Sequence, residues 1–236
     1  MKAGATAADT ASSARPTPVQ IDNGTLEALK WCGLLLMVLD HLNKYLMAHA
    51  WPLAFDLGRL SMPLFGIVLA YNLARPGLGT DAHLRIMNRL ALYGLLATPF
   101  FIAIGGVVTG WWPLNILFTL LVATATAWLA DRPALTSTVA AVCVFLLGGA
   151  MVEFWWPAVL FILAARMYFR SGRAGSLVLC AVALAALYPI NGNAWALGAL
   201  PLLLLAPSVR VELPRLRGFF YGFYPAHLAL IWVVAG

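Results

Sequence analysis

The sequence predicts an all-α polytopic membrane protein, a bundle of about nine transmembrane helices with a cytoplasmic N-terminus. Three observations predict it. Of 236 residues, 62% are hydrophobic and only 10% are charged, and the mean hydropathy is +0.86, outside the range of ordinary soluble domains. The apolar residues fall into runs long enough to cross a hydrocarbon core about 30 Å thick. Basic residues collect in alternate loops, the asymmetry that sets orientation in a membrane.

Residues 1–23 are rich in Ala, Thr, Ser and Pro and lack the apolar core of a secretory signal, so they are expected to form a disordered cytoplasmic tail. The remainder, 24–236, is expected to be a single transmembrane domain. Its spans are placed near 26–48, 53–74, 87–109, 112–130, 134–152, 154–170, 175–190, 194–208 and 219–235. Gly, Pro and charge punctuate the breaks, as in "ARPGLGTD", "ADRPAL" and "YPINGN". With the N-terminus inside, 13 of the 15 Lys and Arg residues lie on the cytoplasmic side, and only Lys44 and Arg59 fall outside. The net charge of +6 is therefore read as a topology signal and not as a nucleic-acid footprint. Cys32, Cys143 and Cys180 have neither paired spacing nor nearby His, which supports neither a disulfide framework nor a metal site.

This topology divides the polar residues into two groups. "MVLDHLNKYL" sets Asp40, His41 and Lys44 on one helical face in the outer half of the first span, with Asn43 one step around. An Asp40–Lys44 pair at the interface is one reading. A functional path is the other, because ionisable residues inside spans face cavities or partner helices, and a His beside a carboxylate makes an efficient base. Arg59, Asp56, Glu153, Asn191 and Asn193 map to the same outer side. Arg59 suits either snorkelling to the interface or holding an anionic group or oxyanion. On the inner side, "LRIMNRL" puts Arg85 and Arg89 one turn apart at a helix N-terminus. That arrangement fits topology charges and equally a phosphate site. Asn115 and Thr119 lie four apart in an apolar span, a spacing common in interhelical hydrogen bonds. His227 falls at mid-depth in the last span, three residues after Tyr224.

Five stretches carry a resemblance: "LKWCGLLLMVLDHLNKYL", "GRLSMPLFGIVLAYNLAR", "LRIMNRLALYGLL", "PLNILFTLLVATATA" and "FYGFYPAHLALIW". Together, from about residue 28 to 234, the chain resembles the TraX family of inner-membrane proteins associated with conjugative pili. That family is similar in turn to the multi-spanning acyltransferases of surface sugars. The resemblance implies an acetyl-CoA-dependent N-acetyltransferase of the bacterial inner membrane, with a pilin subunit as acceptor. It implies Asp40 and His41 as the catalytic pair, with Arg59, Lys44 and Asn43 for substrate or oxyanion. Arg85 and Arg89 are implied for the coenzyme A phosphates, and Asn115 and His227 as lining the same cavity. Beside it stand an O-acyltransferase acting on a glycan or lipid hydroxyl, a small transporter using Asp40, His41 and His227 as a relay, and a non-catalytic pilus-assembly scaffold.

Overall fold

The computed structural model describes residues 18–216 and 218–235, and among them the chain forms nine helical segments and no β-sheet. They are α1 (Asn23–Tyr45), α2 (Pro52–Ala74), α3 (Thr80–Ala103), α4 (Ile116–Ala130) and α5 (Leu135–Met151), then α6 (Trp155–Ser171), α7 (Ala174–Asn191), α8 (Trp195–Ser208) and α9 (Phe219–Ala235). By length and composition α2, α3 and α7 can each cross a membrane, while α4, α5, α8 and α9 are apolar but shorter. Most of the expected tail lies outside the described residues. Its last part is not loose: Val19 N–H donates to Phe169 O at 2.9 Å, Ile21 N–H donates to the Tyr71 hydroxyl at 3.1 Å, and Asp22 caps α1.

The segments run alternately up and down, because hydrogen bonds tie the same alternate ends together. At one end, Arg75 at the close of α2 donates to Asn23 at the start of α1 (2.9 Å), and Thr25 donates to Val209 O beyond α8 (2.6 Å). Asp131, which caps the C-terminus of α4, accepts from Arg166 and Arg170 of α6. Arg166 also donates to Leu73 O, so α2, α4 and α6 are clamped together there. Every described basic residue assigned above to the inner side belongs to this end, which we call the basic end. At the opposite end, Asn43 holds the α1–α2 turn, Asn193 donates to Asp56 (2.8 Å), and Leu114 pairs with Met151 and Glu153.

The densest packing joins α2 to α6, where Ile67, Leu73, Phe161 and Ile162 are fully enclosed. Gly66 allows this approach, since a Cβ there would meet Ile162 and Phe161 at 3.1 and 3.2 Å. Helices α3, α4 and α9 form a second group facing α1 and α2. Helix α5 is peripheral. It exposes Leu135, Val139, Val142, Leu146 and Leu147, and winds into a π-helical turn over Val144–Gly148.

Helix boundaries shift from the sequence reading, α1 by three residues to Asn23–Tyr45 and α3 by more at both ends, to Thr80–Ala103. Helix α3 starts at Thr80, so Arg85 and Arg89 lie within its first three turns and not at its entrance. Helix α4 starts only at Ile116, because the Asn115 side chain accepts from Leu117 N–H at 3.2 Å and caps it.

Candidate active site

A single cavity of about 700 Å³ lies between the α1–α2 pair and the α3–α4–α9 group and reaches from one end of the bundle to the other. Its walls at the basic end carry Lys30, Arg75, Arg85, Arg89 and Arg215. At the opposite end they carry Asp40, His41, Lys44, Arg59, Glu153 and Tyr224, and Met37, Met62, Leu69, Leu90 and Leu120 line the middle. The two polar groups separated by topology in the sequence therefore share one space.

His41 and His227 form the centre of the far end. His41 Nδ1 and His227 Nε2 are 2.8 Å apart, and the ring planes differ by 10° with centroids at 5.1 Å. That contact is shorter than stacked ring faces can reach, so the nitrogens meet edge to edge as an N–H···N bond requires. The proton positions follow from the neighbours. His227 Nδ1 lies 3.1 Å from Phe223 O, and a carbonyl only accepts, so Nδ1 carries the hydrogen. In the neutral ring Nε2 is then an acceptor, and His41 Nδ1 must donate to it. His41 Nε2 is left bare, in the tautomer a general base needs.

Asp40 does not orient His41, contrary to the pairing implied by the resemblance. Neighbours in a helix point about 100° apart, and Asp40 Oδ2 instead accepts from Arg59 Nη2 at 2.6 Å. This also displaces the Asp40–Lys44 pair: Lys44 sits over the Tyr45 ring at 4.8 Å and, among the described residues, has no carboxylate partner. Arg59 occupies a break in α2 between Gly58 and Ser61, where its Nε donates to Phe55 O (3.1 Å) and its guanidinium lies over the Phe55 ring (4.3 Å). Two of its five N–H groups are thus engaged, and Arg59 lines the cavity with the rest still to be partnered. The Asp40–Arg59 contact needs a glycine beside it, because a Cβ on Gly58 would fall 2.5 Å from Asp40 Cβ.

Three other expected site residues are placed differently. Asn43 is fully enclosed, and its amide clasps the Trp51 backbone, donating to Trp51 O (2.9 Å) and accepting from Trp51 N–H (2.8 Å). It is a turn staple. Asn115 does not line the cavity; besides capping α4 it donates to Gly94 O (3.0 Å) and Thr98 Oγ1 (3.2 Å), joining α4 to α3. His227 stands behind His41 and not on the cavity wall, so its role passes through His41. Arg85 and Arg89 both line the basic end, where neither has an acidic partner among the described residues.

The sequence reading placed Glu153 on this side but gave it no role. It sits in the turn between α5 and α6, its backbone anchored by Thr119 Oγ1 (2.8 Å) and Leu114 (2.8 Å). Burial pushes its carboxyl up to about 7 against the pull of Lys44. Its isolation as the one acid in "MVEFWW" was the available signal. Lys30, Arg75 and Arg215 were counted only as topology charges, because nothing local marks them as facing one cavity. No group of three or more His, Cys, Asp or Glu residues suited to a metal occurs among the described residues.

The family model described as "TraX protein" matches residues 25–235. The chain is 32% identical over 227 residues to "Protein TraX" of Escherichia coli, spanning 90% of this chain and 88% of that protein. It is 30% identical over the same length and shares to "Protein TraX" of Escherichia coli strain K12. No solved structure matches the chain.

Proposed function

The chain belongs to the TraX family, and from that premise we propose that it is a membrane-embedded acetyltransferase moving an acetyl group from cytoplasmic acetyl-CoA to the N-terminal amine of a pilin subunit at the outer face. The observation that carries this reading is the single cavity joining the unpaired Arg85 and Arg89 to His41. A coenzyme thioester has that layout: anionic phosphates at one end, a long uncharged arm, and the reacting carbonyl at the other. The arm, about 15 to 20 Å long, compares with half of a core about 30 Å thick.

A bilayer setting of bacterial inner-membrane type is part of the proposal. It is supported by the apolar side chains that α5 turns outward and by exposed tryptophans collected at the non-basic end, among them Trp51, Trp111, Trp155, Trp156, Trp195 and Trp232. Tryptophan favours the interface between headgroups and hydrocarbon. The basic end then faces the cytoplasm.

In the proposed reaction the neutral amine attacks the thioester carbonyl while His41 Nε2 takes its proton. The Arg59 guanidinium and the Lys44 ammonium stabilise the oxyanion. When the tetrahedral intermediate collapses, the C–S bond breaks and the leaving thiolate takes the proton from His41. One amide and one free thiol result. Asp40 keeps the Arg59 fork aimed, and His227 keeps the proton of His41 on Nδ1.

The test is purified protein with radiolabelled acetyl-CoA and a synthetic peptide bearing a pilin N-terminus. Label should enter the peptide, and His41→Ala should cut transfer by about 10²- to 10⁴-fold with coenzyme A binding retained. Full activity in that variant overturns the assignment. Label appearing on a hydroxyl acceptor instead would turn the reading to O-acylation, and no loss of thioester at all would leave transport or scaffolding.

A further inference from the structure

Residues 209–216, between α8 and α9, run without helix across the start of α1. Two contacts fasten them. Thr25 Oγ1 donates to Val209 O at 2.6 Å, and Gly24 lies directly beneath the strap, where a Cβ would stand 1.6 Å from Val211 O and 3.1 Å from Leu213 N. No side chain fits there without lifting the strap. Beyond the contact the strap delivers Arg215 to the basic end of the cavity, beside Lys30, Arg75, Arg85 and Arg89.

No carboxylate lines that end. Lys30 is paired behind the wall with Glu27 at 2.5 Å, Arg75 bonds to the neutral Asn23, and the strap's own Glu212 is exposed and off the wall. Asp81 lies beside Arg85 in an adjoining pocket, so five cations against two acids leave a local excess of three. A diphosphate alone supplies about two negative charges, and a phosphate monoester adds about 1.5 to 2. Resting on the acetyl-CoA reading above, we infer that the strap forms a subsite for the phosphate monoester of the donor nucleotide, with Arg215 as its ligand and Gly24 and Thr25 as the residues that hold it down. The donor class this fits is a thioester carrying both a diphosphate and a monoester, in preference to one lacking the monoester. Guanidinium forks suit such a group because they donate two parallel hydrogen bonds to its oxygens.

Calorimetric binding of coenzyme A and of 3′-dephospho-coenzyme A to the purified full chain in detergent tests this directly. The wild type should bind the first at least about tenfold more tightly, as charge-assisted contacts to a dianion imply. Arg215→Gln, at an exposed position, should erase most of that preference, weakening coenzyme A while leaving 3′-dephospho-coenzyme A binding nearly as it is. Gly24→Val should reproduce the loss without touching any cation, and Thr25→Val should do so more weakly. Equal binding of the two nucleotides by the wild type, or a preference untouched in Arg215→Gln, overturns the subsite. If neither nucleotide binds the wild type, the donor assignment itself fails, and the subsite with it.

Discussion

His41 and His227 lie 186 positions apart, and nothing within either helix reveals that they touch. Residue type and helical spacing were enough to single out Asp40, His41, Lys44 and Arg59, because ionisable groups in an apolar run are conspicuous. Their pairing was not legible. Local spacing offered Asp40 both Lys44 and His41, yet the break in α2 presents Arg59, whose fork meets the carboxylate at 2.6 Å, and Asp40 is drawn there. The two asparagines misled for a related reason. Asn is favoured at caps and turns, so Asn115 before the apolar run "ILFTLL" and Asn43 before a turn are satisfied by backbone. The role of His227 can be tested by shape: His227→Gln keeps an acceptor for His41 Nδ1–H, and His227→Ala does not. Alanine should lower kcat by about 100-fold with KM for donor unchanged, and glutamine should restore a large part of it. Equal loss in both would refute the positioning role.

At the scale of helices, hydropathy located all nine segments, including the broken pair α7 and α8, where a miscount would have reversed the last helix. Ends were less legible, since capping and not hydropathy fixes them: α3 extends toward Gly79 and α4 is cut back to Asn115. How the helices meet depends on small residues and on end clamps such as Asp131 with Arg166 and Arg170. Burial alone would raise the Asp131 carboxyl, but the hydrogen bond from Arg170 and the charge of Arg166 hold it below its ordinary 3.8. A carboxylate with a depressed folded value stabilises above its unfolded value and ceases to do so as pH falls through the folded one. Asp131→Asn should therefore cost about 1 to 3 kcal/mol at pH 7, less than a fully buried pair because Arg170 is 42% exposed. Unfolding of the two proteins in detergent should converge as pH drops below 3.8, and a gap that persists in acid would argue against the clamp.

Across the whole molecule, the cavity joins a cytoplasmic basic end to an outer histidine end on the proposed topology. A bilayer that holds an electrical potential cannot tolerate an open wet duct between its two sides. Between turnovers the apolar stretch of Met37, Met62, Leu69, Leu90 and Leu120 is where such a duct can be sealed, because apolar linings stop hydrated ions by drying out. The cations of the basic end add a repulsive barrier to protons. Replacing two of these residues by polar ones, as in Met62→Ser with Leu120→Ser, should make proteoliposomes leak protons at a rate the wild type does not show, and coenzyme A should suppress that leak. A pH-sensitive dye inside the vesicles reads both effects, and tight vesicles with the doubly substituted protein would place the seal elsewhere. On the proposed function, a protein that passes an acetyl group across an energised membrane must also serve as that membrane's insulator.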